Sequence, residues 1–307
     1  MVTTVIYSIF TSFVLISTGL YHLIFATRTH LRSPRDYFAK PYHPLPIPSS
    51  SPHHQRLRHL QIYLLIIFLL IAFTRQTLIS TYSDPLLKGR TPVHHFTSLQ
   101  SAAVIFLFLI LSVVLLLTET TSILSIPTDL FFGLASVTFF LQYFVSSAAV
   151  SFQTSDLQAK CDSVSAVISA LSAIFCLVLA FHPKLFIADV GLGGSIYLQG
   201  LWVLQTGLSL FVDAFIPEGC HKLLDVVGGV EGSTKCELDD SKLRAIAILD
   251  LLFVIHVGFV VVTFVIIYAA FAKSVGNRRI GAYEALPTLP VVEANHVQMK
   301  ALSGTQA

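Results

Sequence analysis

Charge is what this sequence has least of. Only 12% of its 307 residues are Asp, Glu, Lys or Arg, against 54% apolar ones, and a chain of that size cannot clothe a soluble globule with so few charges. A mean hydropathy of +0.76 says the same. With 19 basic and 17 acidic residues the balance is nearly even, which leaves no basic surface for nucleic acid. Prolines are missing from the interior of the long apolar runs; Pro92, Pro127, Pro183 and Pro217 stand at run boundaries, so unbroken helices are expected. The first run lacks a preceding basic residue and a small-x-small site before Arg28, so it is expected to stay as a helix and not be cleaved as a signal peptide. There is no internal repeat of the kind common in secondary transporters. The sequence also lacks a His-x-x-x-His pair on one helix, an Asp-Arg-Tyr after the third run, and an Asn-Pro-x-x-Tyr or a lysine in the seventh.

What is present is seven runs long enough to cross a hydrocarbon core of about 30 Å: residues 5–26, 60–79, 96–117, 130–150, 164–182, 195–216 and 245–272. The predicted fold is all-α, a polytopic bundle of seven transmembrane helices. The segment 27–59 after the first run holds Arg28, Arg32, Arg35, Lys40, Arg56 and Arg58 against the single Asp36, and the tail 273–307 holds Lys273, Arg278, Arg279 and Lys300. By the positive-inside rule both belong in the cytoplasm. The N-terminus and the loop 217–244 are then exoplasmic, in a plasma or internal membrane. The 27–59 segment, rich in proline and histidine, reads as an extended linker with its basic residues against anionic headgroups. The tail has no apolar period and reads as disordered.

The sixth run carries a polar stripe. At steps of three and four residues Gln199, Trp202, Gln205, Thr206, Ser209 and Asp213 share about one third of the helix circumference, and a face of that kind must point into the bundle because unpartnered polar groups cost several kcal/mol in lipid. Gly200 and Gly207, two turns apart on another face, allow a neighbouring backbone to come close. His95 in the third run, Gln142 in the fourth, and Asp250 and His256 in the seventh complete the polar groups expected to meet in the interior. His94, His95 and His256 are the candidate metal ligands. His94 and His95 differ by about 100° on the wheel, so one metal held by both side chains is disfavoured, and no cofactor is required by the sequence itself.

Two further features lie outside the bundle. Cys220 and Cys236 share the exoplasmic loop, where a disulfide can form, with Cys161 as a competitor on the same side; Cys176 sits within the fifth run. Tyr283-Glu284-Ala285-Leu286 has the Tyr-x-x-Φ form read by sorting adaptors, with Tyr283 and Leu286 as its anchors.

The pieces Val93-His94-His95-Phe96-Thr97 and Leu198-Gln199-Gly200-Leu201-Trp202-Val203-Leu204-Gln205-Thr206-Gly207, with a mid-helix His256, resemble the transmembrane protein 45 family. Gly19-Leu20-Tyr21-His22 and Pro217-Glu218-Gly219-Cys220 are similar to its plant branch. The resemblance implies seven helices over residues 5–272, no established activity, and for the plant members a loose association with pathogen response. The chain departs from the pattern in helix four, where the family's Glu and His are replaced by the run Val137 to Ser147 around Gln142, and in Cys161-Asp162, where a histidine usually opens helix five.

Three classes of function follow. A receptor-like or scaffold protein requires only the topology and a polar interior, and leads. A proton-coupled transporter would use Asp213, Asp250 and His256 as relay groups. A metal or haem enzyme would need histidines at matching heights on facing helices. The expected centre of the interior is His95, Gln142, Asp213, Asp250 and His256.

Overall fold

A computed structural model describes residues 2–45, 58–82, 93–121, 124–151, 153, 155–224 and 231–283. Seven helices long and apolar enough to cross a membrane account for most of them: α1 Val2–Arg32, α2 Leu60–Tyr82, α3 Val93–Thr120, α4 Thr128–Val150, α5 Asp156–Phe181, α6 Phe186–Phe211 and α7 Asp239–Tyr283. The protein is an all-α seven-helix bundle. Its one sheet among the described residues is a hairpin, β1 Cys220–Leu224 and β2 Glu231–Cys236, paired antiparallel with Cys220 opposite Cys236.

The closest packing is between α1 and α6, and glycine makes it. A Cβ added to Gly200 would lie 2.7 Å from the backbone nitrogen of Ile16, one on Gly207 would lie 2.7 Å from Ser8 Cβ, and one on Gly19 would lie 2.5 Å from the backbone nitrogen of Tyr197. None of these positions has room for a side chain, so the two backbones approach more closely than larger residues allow. α4 and α5 pack almost as intimately, with Ser136 Oγ donating to the Ala173 carbonyl across the interface at 2.8 Å. The α2–α3 hairpin packs on α4, with the Phe108 ring 5.0 Å from that of Phe139, and reaches α1 through long side chains, Phe68 against Phe10 and Arg75 over the Tyr7 ring. α7 lies on the periphery: Ala245 and Leu249 are buried, while Leu251, Val254, Phe259, Val262 and Ile266 are exposed, the composition expected of a face toward lipid.

Several boundaries differ from the sequence reading. The sixth helix begins at Phe186, nine residues before Ser195, and ends at Phe211, because Val212 is extended and Asp213–Phe215 forms a separate 3-10 turn ahead of Pro217. Its early start runs through Gly191, Gly193 and Gly194, which look like loop residues but serve as contact surfaces: a Cβ on Gly191 would strike the Phe175 ring and one on Gly193 would crowd His22 and Leu23. α5 begins eight residues before Val164, at Asp156, with Ser155 Oγ accepting from the Gln158 N–H as its cap. α7 continues through Tyr283, past the end of the apolar run and into the segment 273–307. Thr91 and Pro92, the rest of the tail and Leu286 lie outside the described residues, as do the side chains of His94 and Tyr283.

The loop 217–244 contains the hairpin, closed by a Cys220–Cys236 disulfide. Thr234 anchors it, since its Oγ1 donates to the Leu210 carbonyl and its own carbonyl accepts from Ser155 Oγ. At the opposite end the segment read as a linker folds back over the bundle. Tyr37, Ala39, Tyr42 and His43 are buried there, and the Ala39 N–H donates to the Pro183 carbonyl at 2.7 Å. Aromatic residues in this segment supply apolar area that a solvated linker would not bury.

Candidate functional site

The interior is organised around α1, α5 and α6. Gln199, midway along α6, donates through Nε2 to Ser165 Oγ at 2.6 Å. One turn on, Trp202 is almost fully buried and its Nε1 donates to the Cys161 carbonyl at 3.0 Å. Ser172 Oγ donates to Ser195 Oγ at 2.8 Å. These cross-helix bonds satisfy the Gln199 amide N–H and the Trp202 indole N–H of the α6 stripe, as polar groups in a bundle interior require.

A cavity of about 330 Å³ lies between this core and the α2–α3 hairpin. Gln142 of α4 and Gln199 of α6 line it together with Tyr7, Thr11 and Thr18 of α1. Its remaining polar lining is serine: Ser112, Ser169 and Ser172. Gln199 Oε1 and Thr11 Oγ1 are buried and have no hydrogen-bond partner among the described residues. Leu65, Phe68, Ile105, Phe108, Phe139 and Ile196 supply much of the apolar wall.

A second polar centre sits at the end covered by the returning segment. Asp189, in the first turn of α6, is fully buried. Its Oδ1 lies 2.7 Å from His22 Nε2 on α1, and its Oδ2 accepts from the Tyr37 hydroxyl. The N-terminal turn of a helix suits a carboxylate, since the unsatisfied N–H groups and the helix dipole favour negative charge there. The His22 ring lies 5.9 Å from that of His43, and the Tyr21 hydroxyl donates to the His43 carbonyl at 2.6 Å. Burial holds the His43 imidazole down to about 4, helped by the neighbouring His22, so it is neutral at physiological pH. Burial, and then the Asp189 carboxylate, push the Tyr37 phenol well above its usual range. Beside this cluster a pocket of about 70 Å³ is lined by His22, Tyr42, His43 and Gln61, and it shares Thr18 and Leu65 with the larger chamber.

The residues expected at one centre are therefore distributed. Gln142 and Gln199 line the chamber. Trp202 sits outside its lining, in edge contact with Phe253 and His256 of α7. His256 donates from Nδ1 to the Leu252 carbonyl of its own helix at 2.6 Å, and Gln205 donates to Ser209 Oγ at 2.8 Å. Asp213 is exposed on its 3-10 turn. Asp250 is exposed on α7 and paired with Lys160 Nζ at 2.6 Å, which satisfies at the surface a carboxylate that depth alone suggested was interior. His95 lies in the first turn of α3, with its ring edge-on to Phe96. Among the described residues no group of three or more His, Cys, Asp or Glu is placed to hold one metal ion.

Asp189 went unnoticed in the sequence because it falls in a stretch that resembles a loop, and its partner His22 is 167 residues away. The α1 face was within reach. Tyr7, Thr11, Thr18 and His22 follow one another by four, seven and four residues, the spacing of one helix face.

These features define the class: a multi-pass helical membrane protein with a polar interior chamber and a buried His–Asp–Tyr cluster closing one end. Residues 128–269, from the start of α4 into α7, match the model of a family described as "Family of unknown function (DUF716)". The match covers a little under half of the chain and includes Gln142, Asp189, Gln199 and Trp202. No curated protein matches the chain.

Proposed function

We propose that this protein is receptor-like, a membrane protein that holds a small amphipathic molecule in the chamber between α2–α3 and the α1/α4/α5/α6 core. The observation that carries this reading is the combination of about 330 Å³ of space with two buried oxygens, Thr11 Oγ1 and Gln199 Oε1, that lack a partner among the described residues. Unsatisfied buried polar atoms cost about 1–3 kcal/mol each, and a few convergent polar groups in an otherwise apolar cavity are the usual form of a ligand site. The orientation that accompanies this reading has the N-terminus exoplasmic and the Asp189 end cytosolic, with the basic residues of 28–58 against anionic headgroups. The pathogen-response role implied by the resemblance to the transmembrane protein 45 family fits a ligand-holding protein of this kind, and Tyr283 and Leu286 would serve its sorting.

Native mass spectrometry of protein extracted in mild detergent tests the assignment. A small molecule should remain on the wild type and be lost from Thr11→Val/Gln199→Leu. Wild-type protein that carries nothing and is not stabilised by any added amphiphile would refute it.

Proton-coupled transport is the second reading, and the His22–Asp189 pair favours it, because a buried ionisable pair lies beside a pocket that adjoins the chamber. Proton-dependent uptake into proteoliposomes that Asp189→Asn abolishes would support it; uptake independent of a proton gradient would not.

A further inference from the structure

The chamber also carries information about the chemistry of what it holds. This inference rests on the receptor-like reading above. No Lys, Arg, Asp, Glu or His is among the lining residues, so an ionised ligand would lose its water without meeting a counter-charge, a cost proteins rarely leave uncompensated. Arg75 sits over the Tyr7 ring, 3.9 Å from its centroid, but is not itself part of the lining.

The polar groups that do face the space are hydroxyls and side-chain amides, which both give and accept hydrogen bonds. On α1 they are spread from Tyr7 to Thr18, while Gln199 stands at mid-depth: it is 13 residues from Phe186 and 12 from Phe211, roughly 20 Å from the start of α6 at 1.5 Å per residue. The surrounding wall is aliphatic and aromatic. A volume of about 330 Å³ is at the lower end of the range for small-molecule pockets, ~300–1,000 Å³, and suits one chain or a small ring system better than a two-chain lipid.

We infer that the chamber binds a neutral lipid alcohol, a single apolar chain or small ring system whose one hydroxyl group gives its proton to the unpartnered Gln199 Oε1. Thr11 Oγ1, the other unpartnered atom of a lining residue, offers that molecule a second polar contact on α1.

The test uses full-length protein in lipid nanodiscs and three labelled probes: dodecan-1-ol, dodecanoic acid and dodecyl methyl ether. Saturable binding of the alcohol at least tenfold tighter than the acid or the ether is expected. Gln199→Leu should weaken the alcohol about tenfold and leave the ether unchanged. Thermal unfolding followed by Trp202 fluorescence shows whether that variant is folded, and Thr11→Val replaces it if it is not. Acid or ether binding as tight as the alcohol would overturn the hydroxyl assignment while leaving the receptor-like reading intact. Absence of saturable binding for all three probes, with nothing retained in mass spectrometry, would overturn both.

Discussion

Replacing Tyr37 with phenylalanine removes one oxygen atom and tests the buried His22–Asp189–Tyr37 cluster. The ring should stay where it is, because it is held edge-on by His30 and Phe186 at centroid distances of 5.2 and 5.6 Å. What is lost is the hydrogen bond to Asp189 Oδ2. Asp189 has no solvent exposure, so water cannot take the place of the hydroxyl. Hydrogen bonds to charged groups contribute about 1.5–3 kcal/mol, and the variant should lose about 2 kcal/mol, lowering the unfolding midpoint by roughly 5 °C. Asp189→Ala should cost more, about 3–5 kcal/mol, because it also leaves His22 buried without its partner. The double variant should be less destabilised than the sum of the two, with a coupling of at least about 1 kcal/mol. The sole tryptophan, Trp202, is buried and gives a clean fluorescence signal for thermal melts in micelles. A Tyr37→Phe protein within about 0.5 kcal/mol of wild type, additive with Asp189→Ala, would refute the claim that this cluster holds the returning segment on the bundle.

Three further expectations follow from the same structure. Gly200→Ala places a methyl 2.7 Å from the Ile16 backbone nitrogen and should cost about 1–3 kcal/mol through forced separation of α1 and α6; a melt unchanged from wild type would contradict that contact. Cys220→Ser should lose about 3 kcal/mol, the value of closing a loop on the order of 15 residues, and reduction of the wild type should reproduce the loss, whereas insensitivity to reductant would argue against the bond. The lowered affinity of His43 for protons gives a pH dependence with a definite sign. The unfolded chain binds a proton near pH 6.5 and the folded one near 4, so this residue's contribution is lost as pH falls through that window, by about 2 kcal/mol between pH 7 and 5. Stability measured against pH in wild type and His43→Gln should differ in slope there, and parallel curves would count against it.

The seven apolar runs were legible because lipid imposes one requirement on every residue of a span, and that requirement survives in composition. The α1–α6 contact was half legible. Gly200 and Gly207 announce a close neighbour, but only the fold shows that α1 fills the role and that Gly19 answers from the other side. Of the interior residues, Gln142 and Gln199 could be found because an amide in mid-span has few alternatives. Asp250 misled for the opposite reason: a carboxylate in an apolar run looks interior, yet Lys160 on the neighbouring helix pairs with it at the exposed surface. Asp213 was assigned to a helix that ends before it. The Asp189 cluster could not be read at all from local pattern, since Pro183, Lys184 and three glycines surround the site with loop chemistry while the partners come from α1 and from a segment that looks like a linker.

The central claim is that the chamber holds a ligand between α1 and α6 on one side and α2–α3 on the other. Photocrosslinking measures this most directly, using a dodecanol analogue with a diazirine beside the hydroxyl, irradiated on wild-type protein in nanodiscs and mapped by peptide sequencing. Labelling should concentrate on the α1 peptide containing Thr11 and the α6 peptide containing Gln199, and excess unlabelled dodecanol should suppress it. Labelling spread over the lipid-facing residues of α7, such as Leu251, Val254 and Val262, and not suppressed by competitor, would contradict the account.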